Sequence, residues 1–357
     1  MLDLTKLKYR VVVVTPDGAQ LDITDVCSAL GWAEEERQLS AKITCKLACV
    51  DFKGTSITEL VKPFSPVFIY ADIGEGFVEA IRGVVQKWEI TESNGEFTLD
   101  IDAADEVQAL RQSQDDYFFS EDHSSTAIIE KIFGDWGVPH ELQIKDVKHA
   151  KKVYRGKYLC DMVEDVLKDL KEKDGGVYFM RAKEGIIQII PRGTNETIYH
   201  FDIDYNLVRF RESYDVSKIV TRVKILAKSK EEGHQLIEAT IDGKTEYGTH
   251  QVIYTRGDKE TLEEAEKAAK KILEEQGDIK RDSNLEAPDV PFMRKGDRIR
   301  IRSSTGQAYF FVKSIRHNAA QAKMSLTLDY DKEYSEANGS PTYDVAKTEE
   351  SNSSSPP

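Results

Sequence analysis

The sequence predicts an α+β, mainly β, fold: two related β regions, each a small β-barrel or sandwich, flanking an α+β insert, followed by a disordered C-terminal tail. Three observations predict it. The first hundred residues, and again those beyond about residue 205, alternate apolar and polar side chains with period two, the mark of strands with one wet face. The stretch between them carries apolar stripes at helical spacing. Finally, Val84–Asp102 (VVQKWEITESNGEFTLDID) lays without a gap over Phe311–Asp329 (FVKSIRHNAAQAKMSLTLD). That overlay sets Val85 on Val312, Phe97 on Met324, Leu99 on Leu326, Ile101 on Leu328 and Asp102 on Asp329. The expected domains are 1–105 (first barrel), 106–205 (insert), 206–333 (second barrel with one inserted helix) and 334–357 (tail).

Each element has a local reason. Tyr9–Val14 is a β-branched run stopped by the turn signal Pro16-Asp17-Gly18. Arg37–Val50 alternates Leu39, Ala41, Ile43, Cys45, Leu47 and Cys49 against Ser40, Lys42, Thr44, Lys46 and Ala48, which predicts one long antiparallel strand. Pro66–Asp72, Val78–Glu92 and Glu96–Asp102 follow, the last two joined through Asn94-Gly95, a hairpin signal. In the insert, the N-cap oxygens of His123-Ser124-Ser125-Thr126 precede the stripe Ile128, Ile129, Ile132, Phe133, Trp136, and Gly137 and Pro139 close that helix. A second helix over about Leu159–Glu172 buries Met162, Val163, Val166, Leu167 and Leu170 and stops at Gly175-Gly176. Val177–Arg181 and Ile186–Pro191 make a hairpin. Beyond Tyr205, Ile219–Lys228 and Gln235–Ile241 read as strands, with Asp242-Gly243 as a hairpin turn. Thr261 and Glu264 form a capping box for a helix whose stripe is Leu262, Ala265, Ala269, Ile272 and Leu273. Arg298–Arg302, Ala308–Arg316 and Lys323–Asp331 complete the second β region, and the Ser-, Asn-, Pro- and Glu-rich chain beyond Tyr334 lacks the apolar residues to order itself.

Composition narrows the function. The 357 residues are enough for two or three domains. Lys and Arg number 49 against 63 Asp and Glu, a net charge of −14, which argues against a protein that grips phosphate backbones. An acidic surface past which nucleic acid slides is compatible with it. Apolar runs such as Val11–Val14 are strand-sized, and MLDLTKLKYR has no signal-peptide core, so a protein made in the cytoplasm without membrane insertion is expected. Cys27, Cys45, Cys49 and Cys160 have no metal-site spacing and read as small buried or half-buried residues.

A search for chemistry is negative. None of the seven histidines stands in HExxH, and GxSxG, Walker A and GxGxxG are missing. Gly74-Glu75-Gly76 reads as a hairpin tip, because a carboxylate between the glycines repels phosphate. His123 among Ser120, Ser124 and Ser125 is explained by helix capping. Carboxylate pairs occur at Asp100/Asp102, Asp115/Asp116, Asp202/Asp204 and Asp329/Asp331, and a glycoside hydrolase would need one such pair flanking a cleft. Trp32, Trp88 and Trp136 lie within strand or helix patterns and are expected in cores, not on a carbohydrate- or receptor-binding surface.

The order of segments resembles the XkdQ/YqbQ family of tail-hub proteins from PBSX-like phages and phage-tail-like particles. The resemblance is carried by Gly31-Trp32 before the strand Gln38–Val50, by Ile81-Arg82-Gly83-Val84-Val85, and by Asp102-Ala103-Ala104-Asp105. It continues through Ser125-Thr126-Ala127-Ile128-Ile129, Gly137-Val138-Pro139, the helix and hairpin of Met162–Ile190, Lys218–Val223 and Gly296-Asp297-Arg298-Ile299-Arg300-Ile301. It spans about residues 8 to 332, and its strength lies in order and spacing.

The resemblance implies a non-enzymatic baseplate hub of a contractile tail: a homotrimer whose two barrels per chain build a six-barrel ring, adapting a six-fold tube to a three-fold spike. It implies as partners other copies of the chain, the tail tube protein, the spike, a LysM-type baseplate protein and the tape measure. Neither a cofactor, a metal, specific nucleic-acid binding nor membrane insertion is implied. The location would be the baseplate of a virion or tail-like particle, assembled in the host cytoplasm. On this reading Ser40, Lys42, Thr44, Lys46, Thr98, Asp100, Asp102, Ser325, Thr327 and Asp329 line the lumen or a subunit interface, with carboxylates such as Asp100 and Asp329 making a DNA-repelling wall. The competing expectation is a tail-associated peptidoglycan hydrolase built on a carboxylate pair.

Overall fold

The computed structural model describes residues 6–36, 38–52, 54–227, 236–304 and 306–339, and the chain divides into two compact units, one of Met1–Phe210 with Asn284–Pro357 and one of Arg211–Ser283. The tail from residue 340 onward lies outside the described residues.

The first unit begins with β1 (Lys8–Val14), β2 (Gln20–Asp22), β3 (Cys27–Glu34) and β4 (Lys42–Ala48). The two-residue β5 (Asp51–Phe52) and β6 (Thr55–Ser56) and the single turn α1 (Ile57–Leu60) lead to β7 (Pro66–Asp72), β8 (Phe77–Ser93) and β9 (Glu96–Ala104). Asn94 and Gly95 both take positive φ, as the tight turn between β8 and β9 requires. The long strand expected over 37–50 is shorter, because Ser40 and Ala41 are held by side chains instead of a neighbouring strand. The Asp105 carboxylate accepts the Ala41 N–H at 3.0 Å, and the buried Ser40 hydroxyl donates to Gln108 Oε1 at 3.0 Å.

The insert comprises α2 (Val107–Gln112), β10 (Gln114–Phe119), α3 (Ser125–Asp135), β11 (His140–Leu142), β12 (Lys152–Tyr158), α4 (Leu159–Asp174), β13 (Tyr178–Lys183) and β14 (Ile186–Pro191). Ser124 caps α3 and Gly175, at φ 75°, ends α4, as the spacing predicts. Ile128, Ile129, Ile132, Phe133, Met162, Val163 and Val166 form its core, but Trp136 stands exposed at the end of α3 with its indole N–H on Asp115.

Strands then return as β15 (Tyr199–Asp202) and β16 (Arg209–Asp215). The second unit holds β17 (Arg222–Leu226), β18 (Ile237–Asp242), β19 (Gln251–Thr255) and α5 (Leu262–Gln276). Asp242-Gly243 is not a hairpin turn: β19 crosses over to pair parallel with β17, whose other edge carries β18. The capping box of α5 forms, and Ala265 and Ala269 are buried, whereas Leu262 is exposed. A three-stranded sheet therefore accompanies the one inserted helix that was expected here. Finally β20 (Lys280–Pro288), β21 (Arg298–Ser303), β22 (Gly306–Asn318) and β23 (Lys323–Tyr330) are followed by α6 (Lys332–Ala337). The last element corrects the expected start of the tail, since Asp331 caps α6, Ser335 is buried and Tyr334 packs edge-on against Tyr309 at 4.8 Å.

The β regions share one sheet. Its order is β16-β20-β23-β22-β3-β4-β9-β8-β7-β1-β2, with β21 on β22 and β15 on β21. Among the described residues neither half closes into a barrel by strand pairing; the halves are joined where Ile315–Asn318 of β22 pair antiparallel with Gly31–Glu34 of β3. At this seam Trp32 stacks on His317 with ring centroids 4.4 Å apart and meets Tyr9 edge-on at 5.8 Å. His317 Nδ1 lies 2.6 Å from Asp289, and Tyr9 donates to the other Asp289 oxygen at 2.5 Å. A Cβ on Gly31 would come within 2.7 Å of the His317 carbonyl, so the strands can meet only over a glycine. Below the seam, Arg294 forks onto Glu34 and donates to the Ala182 carbonyl at 3.0 Å, while Arg181 pairs with Asp297 at 3.2 Å. Burial pushes Glu34 up, but Arg294, with Lys295 and Arg181 behind it, outweighs that and holds it below the usual range.

Expected outcomes follow for both groups. Trp32→Ala should destabilise the protein by ~3–5 kcal/mol, measured by denaturant unfolding. Burial raises Asp105 to about 7, against the Ala41 N–H and Arg294. Its folded value lies above the unfolded one of ~4, so its contribution is complete at low pH and is lost as pH rises to about 7. Relative to Asp105→Asn, the wild type should therefore lose stability across that window and run parallel above it; a difference rising with pH contradicts the assignment.

Candidate lumen or interface face

The sheet repeats itself across the seam. From its centre outward the first half runs β8, β9, β4, β3 on one side and β7, β1 on the other; the second runs β22, β23, β20, β16 and β21, β15. The outermost pair differs, since β1 is antiparallel to β7 and β15 parallel to β21. Local details recur as well. A bulge interrupts β8 between Val85 and Lys87, and one interrupts β22 between Val312 and Ser314. Before β7, Lys62 N–H donates to Ser65 Oγ at 3.1 Å, Phe64 N–H to the Val85 carbonyl at 2.9 Å and Val85 N–H to the Ser65 carbonyl at 3.0 Å. Before β21, Arg294 N–H donates to Asp297 Oδ2 at 2.9 Å, Gly296 N–H to the Val312 carbonyl at 2.8 Å and Val312 N–H to the Asp297 carbonyl at 2.9 Å. Phe64 and Gly296 both take positive φ, 69° and 90°.

The bulges place Val85 on Val312, as the gapless overlay does. Beyond the hairpin tips the structural register shifts by two, because Asn94-Gly95 closes one hairpin and Ala319–Ala322 the other. Asp102 therefore falls on Thr327 and Ile101 on Leu326, which preserves the inward and outward faces.

The outward face is continuous from β23 to β8. One row across it reads Asn318, Gly31, Thr44, Asp102, Lys87; the next reads Ala29, Lys46, Asp100, Glu89. Eight of the ten expected residues, Lys42, Thr44, Lys46, Thr98, Asp100, Asp102, Ser325 and Thr327, project from this side of the sheet. Ser40 does not, being buried under α2. Asp329 ends the face in an ion pair with Arg192 of the insert at 2.6 Å. The small residues Ala29, Gly31 and Ala33 floor a trough of about 510 Å³ walled by Lys42, Lys46 and Arg316. Carboxylates here sit beside cations: Lys42 lies 3.0 Å from Asp102, Lys87 pairs with Glu89, and Arg316 lies 3.1 Å from Glu35. Sequence reasoning named Lys42 and Lys46 with the acids of this wall; the structure adds Lys87 and Arg316 and sets cation beside carboxylate, so the face is charge-balanced instead of acidic.

The other candidate chemistry has structural employment. Asp202 and Asp204 hold Arg302 at 2.7 and 2.9 Å, Asp331 holds Arg298 at 2.8 Å, and Asp115 and Asp116 take the Trp136 indole and the Gly156 N–H. Gly74 and Gly76 form the expected hairpin tip, both donating to Asp72. One constellation escaped sequence reasoning. Ser125 Oγ lies 2.7 Å from His149 Nε2, and His149 Nδ1 lies 3.1 Å from Asp169, the connectivity of a hydrolase triad. Burial pushes Asp169 up, but Lys152 at 2.8 Å and His149 outweigh it and hold the carboxyl below its usual range. Ser125 and His149 are buried, and the hydroxyl also lies 3.2 Å from the Val147 carbonyl, so a substrate carbonyl has no approach. The arrangement pins the start of α3 to α4.

A family model described as YQBQ-like matches residues 71–329. The chain belongs to the YQBQ-like family. The solved structures it resembles include the 43 kDa tail protein of prophage MuSo2 from Shewanella oneidensis, at TM-score 0.64 and 13% identity, covering 90% of this chain and 98% of that one. A tail protein from Neisseria meningitidis MC58 matches at TM-score 0.64 and 12% identity over 90% and 97%. An E. coli component of the type VI secretion system matches at TM-score 0.53 and 10% identity over 85% and 74%. At these identities the likeness establishes a shared fold. A comparison with curated proteins finds no match. Among the described residues no helix of this YQBQ-like chain is long and apolar enough to cross a membrane, and no group of His, Cys, Asp and Glu is placed to hold a metal.

Ser125→Ala should cost about 1–3 kcal/mol in unfolding experiments, because it leaves His149 Nε2 without its hydroxyl. Any ester-hydrolysing activity tracking Ser125 would overturn this structural assignment.

Proposed function

We propose that the chain is a structural hub of the baseplate of a contractile phage tail or tail-like particle. Family membership and the tail-protein fold support the tail role. The repeat within the sheet is the observation that carries the finer reading, in which three copies form a ring that adapts a six-fold tube to a three-fold spike. Two similar halves per chain present six similar units to one neighbour and three chains to the other. The outward face of β23 to β8, including Lys42, Thr44, Lys46, Asp100 and Asp102, lines the pore or meets a neighbouring subunit.

A balanced face suits either place. Paired surface charges bind phosphate weakly, so a pore of this kind lets nucleic acid or a tape-measure protein slide without a deep electrostatic well. Tube and spike proteins are the partners this reading requires, with a LysM-type baseplate protein and the tape measure beside them, and the particle baseplate is its location. The competing hydrolase finds at least one carboxylate of every candidate pair engaged in the ion pairs and turn contacts described above.

Native mass spectrometry and averaged electron images of the protein, alone and with its tail neighbours, test the proposal. A three-chain ring with six lobes around a pore is expected. A monomer or two-fold dimer under both conditions overturns it.

A further inference from the structure

The insert carries a strand with an open edge. β10 and β12 form a two-stranded sheet of their own, and among the described residues neither pairs with a third strand. A groove of about 650 Å³ is lined by every residue of Lys151–Tyr158, together with Asp161 and Asp165 of α4. From β10 it takes only Gln114. Both faces of β12 contribute to it and the neighbouring strand hardly does, so the groove follows the edge that β10 leaves open.

The register sorts the side chains along that edge. Tyr117 opposes Tyr154, Phe118 opposes Val153, and the bulge beyond Tyr117 brings Asp115 opposite Lys157. Tyr154 packs in the insert core, and Lys157 lies over its ring at 5.0 Å on the same inner face. Lys151, Val153 and Arg155 alternate with Tyr154 and are exposed on the outer face, where Lys151 lies 5.2 Å from the Phe118 ring centre.

The charge of this stretch runs against that of the chain. Lys145–Lys157 holds six Lys and Arg residues and a single carboxylate, in a protein of net charge −14. Three of the cations are paired within the insert. Lys145 holds Asp174 at 2.6 Å, Lys148 lies 3.8 Å from Asp122, and Lys152 holds Asp165 and Asp169 at 2.6 and 2.8 Å. Lys151, Arg155 and Lys157 form no ion pair among the described residues, and all three line the groove. Cations on an open edge deter pairing between identical edges, since like charges would meet across the new ladder. The same cations favour a strand of opposite charge. β10 of another copy is not that strand, because its Asp115 and Asp116 already hold the Trp136 indole and the Gly156 N–H.

We propose that the open edge of β12 accepts an extended acidic segment of another protein as the third strand of this sheet. Backbone hydrogen bonds hold the segment, and its alternate side chains decide which segment is taken. The outer row of that strand carries an acid beside Lys151, an apolar residue beside Val153 and Phe118, and an acid beside Arg155. The pairing needs no ring and stands on the insert alone.

Short labelled peptides, titrated with the full chain at low salt and followed by fluorescence anisotropy, test it. One alternates threonine with glutamate, valine and glutamate; a second has lysine for each glutamate; a third is the acidic peptide N-methylated along one edge. Oligothymidylate of matching charge is the fourth probe. The acidic peptide should bind and should slow hydrogen exchange in β12. The lysine and N-methylated peptides should bind at least about tenfold more weakly. Arg155→Glu should weaken the acidic peptide about tenfold, whereas Lys183→Glu, the same charge change on the exposed insert hairpin, should leave it unaltered. Both sites are exposed, and unchanged circular dichroism checks the fold. Equal binding of the N-methylated peptide, or no protection of β12, overturns strand addition and leaves a charge contact only. Tighter binding of oligothymidylate overturns the acidic protein as occupant. No binding of any probe at the highest soluble concentration overturns the whole proposal. None of these results bears on the three-chain ring, so the two readings fail separately.

Discussion

Four residues of β22 paired with four of β3 hold this fold together. Without that seam the sheet of the first unit would part into two half-sheets, held to one another by side chains and by the insert. The pairing itself is a short ladder, and short ladders slip unless side chains fix the register. Here the register is fixed from both faces. Outside, Gly31 admits the His317 carbonyl at a distance no side-chain-bearing residue tolerates. Inside, Trp32 and His317 stack, and Asp289 ties the imidazole to Tyr9 of β1. A slip by one residue would turn Trp32 to water and bring Ala33 into the core.

Charge burial under the seam has the same logic. A forked Arg–Glu pair such as Arg294–Glu34 contributes little net stability once desolvation is counted, and removing one partner is far more costly than replacing both. What it contributes is position. Glu34 ends β3, Arg294 belongs to the turn before β21, and the Ala182 carbonyl it also engages lies on β13 of the insert. One guanidinium therefore sets where three parts of the first unit meet.

Much of this was legible in the sequence, for identifiable reasons. The alternation of β4, β8 and β9, the Asn-Gly turn, the caps of α3 and α5 and the similarity of the two hairpins are local signals and survive folding. What was misread depends on distant partners. Leu39 continues the alternation of β4 in sequence, yet packs in the insert core, because Asp105 and Gln108 turn the chain at Ser40. Asp242-Gly243 looks like a hairpin turn, but the strand after it crosses over to the far edge of β17, a choice no local signal records. Of the site, the outward rows followed from period two. Their charge balance did not, since it depends on which lysine of one strand meets which carboxylate of the next. The Ser125–His149–Asp169 cluster joins residues on three separate segments with no motif among them.

The two halves differ most where they matter least to the repeat. The strands that correspond, β3 and β4 in one half and β16 and β20 in the other, are joined by Glu35–Ala41 in the first and by Val216–Ile279, with its own three strands and helix, in the second. The tightly repeated parts are the central hairpins and the turns before β7 and β21, down to the same three backbone and side-chain hydrogen bonds. Loops tolerate insertion at little entropic cost, whereas a paired strand does not. A frame repeated twice per chain can therefore keep its strand register in both copies while one connection carries a domain the other lacks.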